Sequence, residues 1–247
     1  MKKILMSIII TTFLYSCSSD SNENINQNSS YYRLVEKTEI SNDGDIETTN
    51  YEYYSNGNLR RIINDTYSGT YIGDYIYDNE DLLIKTDYGE WFSTYSYNSS
   101  GLIEIATNSP DEEGIITTRE YTYNSLGQKT IDIQYDNNIY CCETEFVYNS
   151  NGNISEINST DGEGGGSSTG FTYDNKKRPE FAMGLTDASF WIDERANQNN
   201  ILDNGNGATT TYEYNDQGYP TKSTIVFNFM GNIITNVINY QYETIEF

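Results

Sequence analysis

The 247-residue chain contains no histidine and only three cysteines and three prolines. Without histidine there is no histidine-ligated zinc or haem, and no imidazole general base. One cysteine, Cys17, closes an apolar leader, and the remaining pair, Cys141 and Cys142, is too few for a thiolate zinc site. Positive charge is scarce as well: 14 Lys and Arg stand against 37 Asp and Glu, for a net charge of −23. A phosphate backbone is gripped by clustered Lys and Arg, so nucleic acid is excluded as a partner. Anionic headgroups are equally ill-suited to the body of the chain. With so little proline, the turns fall to Asn, Asp and the 19 glycines.

Tyrosine is what the chain has in excess, with 24 copies, and aromatics make up 14% of the residues. A disordered acidic chain is poor in aromatics, so this composition points to a folded body. A tyrosine ring covers a sheet face while its hydroxyl finds a partner or stays wet.

The leader begins with Lys2 and Lys3 and continues as an apolar run over Ile4–Leu14, too short to span a bilayer. Leu14-Tyr15-Ser16-Cys17 then resembles the lipobox of bacterial lipoproteins. The resemblance implies a signal peptide at 1–16, cleavage before Cys17, and acyl chains on the new N-terminal cysteine. Two or more chains give stable attachment. Residues 17–30 are polar and read as a flexible tether. Asp20 and Glu23 loosely resemble the surface-export signal of Bacteroidota lipoproteins. The expected address is therefore the envelope, at the outer membrane, with the membrane met through the N-terminal lipid. Residues 31–247 form one body.

That body repeats. Aromatic anchors recur about every 25 residues, at Tyr53, Tyr77, Tyr97, Tyr123, Tyr148, Tyr173 and, after a longer gap, Tyr214. Each has another aromatic two residues earlier, on the same face of a strand. All but Tyr53 are followed by Asn or Asp, which start turns by bonding their own backbone. Gly57, Gly101, Gly127, Gly152 and Gly218 come four residues after their anchors and supply the positive φ that closes the turn. The expected fold is all-β: a long twisted antiparallel meander of hairpins. It is interrupted at 176–206 by a loop insertion with a short helix over Asp187–Arg195.

The unit Tyr-x-Tyr-Asx-x-x-Gly resembles the YD repeat of Rhs-type bacterial wall and toxin-shell proteins, over roughly residues 46–230. A second likeness lies in Tyr173-Asp174-Asn175-Lys176, Pro179, Asn199-Asn200-Ile201 and Gly218-Tyr219-Pro220-Thr221. This order resembles uncharacterised Bacteroidota lipoproteins of flavobacterium-like source. The resemblances imply an open curling sheet and an envelope location, and no chemistry.

Candidate sites are few. Asp111, Glu112 and Glu113, and Asp161 with Glu163, are the calcium candidates. Neither run has the EF-hand spacing, so each reads first as a solvated acidic turn and no cofactor is expected. Cys141 and Cys142 are adjacent in a strand and read as unpaired thiols, with a vicinal disulfide as the alternative. The tyrosine anchors read as scaffold. Aromatics outside their register are the binding candidates: Trp91, Phe92, Phe190 and Trp191, with Tyr67 and Tyr71 behind them. The expected role is non-enzymatic binding or surface interaction, with a glycan or a protein as ligand. The alternatives are a glycan-binding accessory lipoprotein and a hydrolase working through a carboxylate pair.

Overall fold

The computed structural model describes residues 31–183 and 197–245. The leader, Cys17, the tether, and the helix expected over Asp187–Arg195 with Phe190 and Trp191 lie outside the described residues.

Local turn chemistry sets the fold. After Tyr97, the Asn98 side-chain oxygen accepts the N–H groups of Ser100 and Leu102 at 2.9 and 3.1 Å. The Gly101 N–H closes back on the Asn98 carbonyl at 3.0 Å, with φ at 75°. Asp78, Asn124, Asn149 and Asn215 repeat this cap. Asp81 takes the glycine position in its turn with φ at 62°, a region Asp tolerates better than most side chains. One extra residue on each returning strand, Glu104 opposite Ser96/Tyr97 and Thr130 opposite Thr122/Tyr123, is absorbed by a bulge beside the anchor.

Seventeen strands result among the described residues. They are β1 (Tyr31–Ile40), β2 (Ile46–Tyr53), β3 (Leu59–Thr66), β4 (Gly69–Tyr77), β5 (Leu83–Asp87), β6 (Phe92–Tyr97), β7 (Ile103–Asn108), β8 (Thr117–Tyr123) and β9 (Lys129–Asp136). Then come β10 (Ile139–Tyr148), β11 (Ile154–Asp161), β12 (Gly166–Gly170), β13 (Thr172–Lys177), β14 (Asn199–Asp203), β15 (Ala208–Tyr214), β16 (Pro220–Phe229) and β17 (Asn232–Ile245). Strands pair antiparallel with their sequence neighbours from β1 to β12 and from β13 to β17. β12 and β13 form one run through Phe171, whose N–H donates to the Ser155 carbonyl of β11 at 3.1 Å. The run thus carries β11 on one edge and β14 on the other.

The ring then closes. β17 lies antiparallel to β1, from Tyr31 opposite Ile245 to Ile40 opposite Val237. This corrects the expected open meander: the hairpins are present, but they form the wall of a barrel. Closure pairs the edges that an open sheet would leave to solvent.

The anchors hold this wall at one end. Hydroxyls of Tyr53, Tyr97, Tyr123, Tyr148 and Tyr173 donate to the carbonyls of Leu34, Leu83, Ile103, Lys129 and Ile154 at 2.5–2.7 Å. Each acceptor lies on the strand next door. Tyr214 instead donates to the Asp174 carboxylate. Leu34, Leu59, Tyr75 and Leu83 are buried here. Ala182 and Met183, from the 3₁₀ turn Pro179–Met183 of the insertion, are buried with them. The insertion returns through an amide latch. Asn153, 1% exposed, accepts the N–H groups of Gln198 and Asn199 at 2.7 and 3.0 Å. Asn200 donates to the Asp174 carboxylate and to the Lys177 carbonyl, both at 3.0 Å.

Outward positions are different in kind. In β15, Thr209, Thr211 and Glu213 are exposed while the residues between them are half-buried. Glu104, Glu120 and Glu145 are exposed at mid-strand. Arg61–Asp74, Lys85–Asp87 and Lys222–Glu213 form ion pairs at 2.6–2.8 Å. Among the described residues no helix is long and apolar enough to cross a membrane, which leaves open a crossing by strands.

Candidate ligand-binding cavity

Above the packed end the barrel encloses a cavity of about 890 Å³. Its wall is read off the ladder. One row runs Tyr240, Lys37, Thr49, Asn64, Tyr71, each opposite the next. The row below contains Tyr51, Ile62 and Gly73. Pro179, Glu180 and Met183 also line it, so the insertion forms part of the floor.

The most specific feature is at the tip of the β5–β6 hairpin. The Tyr88 N–H bonds the Trp91 carbonyl at 2.9 Å across a two-residue loop, with Gly89 at φ 87°. Such a loop sets its flanking side chains side by side on one face. Tyr88 and Trp91 accordingly stack, with centroids 3.9 Å apart and planes 14° apart. Tyr88 lies over Gly73, where any Cβ would run into its ring. Trp91 remains 45% exposed and Tyr71 57%, so aromatic surface faces the opening.

Charges around the cavity are engaged. Asp74 takes Arg61, which raises the guanidinium's affinity for its proton. Lys85 donates to Asp87 at 2.6 Å and holds that carboxyl below its usual range. Glu180 accepts from Arg178 at 3.2 Å. These acids therefore offer no free carboxylate pair for acid–base work. Tyr240 is pushed up by burial, and its hydroxyl meets Ser223 at 3.1 Å.

Of the binding candidates in sequence, Trp91 is in the cavity wall. Phe92 is not: its ring lies 4.4 Å under the Lys85 ammonium on the outer face. Tyr71 lines the cavity, while Tyr67 is 83% exposed at the β3–β4 tip. The calcium candidates act as turn caps. Asp111 accepts the N–H groups of Glu113 and Ile115 at 2.9 and 2.8 Å, and Asp161 those of Glu163 and Gly165 at 3.0 and 2.7 Å. Among the described residues no group of three or more Cys, Asp and Glu is placed to hold a metal. Cys141 and Cys142 are free thiols. β10 bulges between Tyr140 and Cys142, and the hydrogen bond to Cys142, with burial, pushes the Cys141 thiol up to about 11. Lys37, Gly73 and Tyr88 carry no signal in the sequence, because only the cross-strand register brings them to Trp91.

No protein-family model matches the chain, and no curated protein matches it. Solved structures do. A porin-like protein from Bacteroides uniformis matches with a TM-score of 0.62 at 16% identity, over 86% of this chain and 98% of that one. A porin-like protein from Bacteroides vulgatus matches over 86% and 99%, at 11% identity and a TM-score of 0.38. The complex TcdB2-TccC3-Cdc42 matches at a TM-score of 0.27 and 16% identity, over 77% of this chain and 12% of that one. The first of these likenesses shows the fold, an antiparallel β-barrel. It overturns the expected YD/Rhs-type repeat meander and, with no family model matching, the expected lipoprotein family.

Proposed function

We propose that the mature chain is a lipid-anchored, water-facing barrel of the bacterial envelope that binds a ligand inside its wall and is not an enzyme. The observation that carries this reading is the division between the two faces. Charged side chains and ion pairs occupy outward mid-strand positions, whereas a spanning barrel presents an apolar band to lipid there. The aromatic surface is turned inward instead. The lipobox-like Leu14–Cys17 supplies the attachment that such a wall lacks.

Fractionation of cells expressing Cys17→Ala tests it. The variant is expected as folded protein in the soluble periplasmic fraction, with the wild type in membranes. A variant that stays in membranes after a carbonate wash would show that the strands themselves hold the bilayer.

The ligand we assign to the cavity is a saccharide. The Tyr88–Trp91 stack favours it: an aromatic surface that shares the cavity wall with Thr49 and Asn64 matches a sugar ring with its hydroxyls. The chain has two tryptophans, so quenching of emission on adding oligosaccharide, lost in Trp91→Ala, is the measurement that checks it.

A further inference from the structure

We infer that the saccharide taken by this cavity is acidic, and that its carboxylate is held by the Lys37 ammonium. The inference rests on the saccharide reading above and adds the ligand's charge.

Lys37 is half-buried in the wall, between Tyr240 and Thr49 in the same ladder row. The charges around it are spoken for: Arg61 by Asp74, Asp87 by Lys85 and Glu180 by Arg178. Arg61, Asp74 and Asp87 border the cavity as well, but they alternate along their strands with Ile62, Gly73 and Tyr88 and are held in those ion pairs. Lys37 alone among these has no carboxylate of the described residues within ion-pair distance. The nearest acid on its own face of β1, Glu39, accepts from Asn236 at 3.4 Å, and Glu47 stands opposite Glu39 in the next row. An anion is therefore drawn to the Lys37 row and repelled from the row beyond it, which fixes the direction in which the ligand's acid group points.

A half-buried ammonium that has no carboxylate of its own is open to a ligand's anion, and a charge-assisted bond to carboxylate is its strongest complement. Neutral partners stand in the same row. Asn64 accepts from the Thr49 hydroxyl at 3.2 Å, which leaves its amide nitrogen to donate to a ring hydroxyl. Lys37, Asn64 and the Tyr88–Trp91 face thus offer one charged contact, one neutral donor and one stacking surface, the complement of a uronic-acid residue.

The test is calorimetry on the full mature protein in mild detergent, with an oligogalacturonate and the same oligosaccharide methyl-esterified. The acid is expected to bind about tenfold or more tightly than the ester. Lys37→Gln is expected to remove that difference while leaving the ester's affinity unchanged, and Lys37→Arg to keep it. Trp91→Ala is expected to weaken both ligands together. Equal binding of acid and ester, or equal loss of both in Lys37→Gln, overturns the charge assignment and leaves the saccharide reading standing. Binding of neither ligand overturns both.

Discussion

At the anchor end of the barrel, tyrosine hydroxyls are consumed by neighbouring carbonyls, Leu59 and Tyr75 are fully buried, and the insertion is latched by Asn153 and Asn200. At the opposite end, Tyr67 is 83% exposed, Tyr71 57% and Trp91 45%, the last stacked on Tyr88. The same residue type serves both ends. A tyrosine whose hydroxyl has a fixed acceptor is mortar. One whose ring stays exposed is left free for contact from outside the wall. The difference lies in what the register sets opposite each ring, and the two ends should therefore fail differently.

The largest effect is expected from emptying the packed end. Leu59 is 0% exposed, and Leu59→Ala should cost about 2–5 kcal/mol in denaturant unfolding. Cutting the latch comes next. Asn153→Ala strands two N–H groups that now have an acceptor, for a loss of about 1–3 kcal/mol. Gly101, at φ 75° with nothing within 4 Å of where a Cβ would lie, tests turn geometry alone: Gly101→Ala should cost about 1–2 kcal/mol. At the open end, Trp91→Ala should cost about 1 kcal/mol, the size of its stack on Tyr88, while weakening ligand binding. Gly73→Val sharpens the contrast, because its side chain displaces the Tyr88 ring and should lower binding with Trp91 untouched. If Trp91→Ala unfolded the protein as Leu59→Ala does, the two ends would be one cooperative core.

Alkali separates the ends too. Burial pushes Tyr97 up to about 12, and raises Tyr95 and Tyr242 as well. An unfolded tyrosine ionises near 10, so the neutral ring's contribution is fully present below that value. It is lost as pH climbs through the folded pKa. Unfolding should therefore set in above pH 10 and advance toward 12, followed by phenolate absorbance together with circular dichroism. In Tyr97→Phe the onset should move to higher pH.

Much of the wall was legible in the sequence because it is local. Asn98 and Gly101 cap their own turn within five residues, and the paired aromatics mark the strand before it. Closure was not legible. Tyr31 and Ile245 pair across the whole body, and nothing in either strand names its partner. Nor was the purpose of the 176–206 interruption, which reads as loss of pattern but buries Ala182 and Met183. The cavity wall was half visible. Trp91 stood out as an aromatic off the anchor register, whereas Lys37 and Gly73 reach the same wall only once three ladders have set their neighbours.

The β1–β17 seam has a kinetic consequence. Every other pairing can zip in order as the chain emerges, hairpin after hairpin, but this one spans nearly the full contour length and waits for the last strand. Until it arrives, β1 offers an open template to any passing strand. Chains truncated before Asn232 should therefore aggregate rather than stay soluble and partly folded. Because the seam brings the two ends together, a permutant with joined termini and a new start at Gly44 would turn the slowest contact into a local one and fold faster.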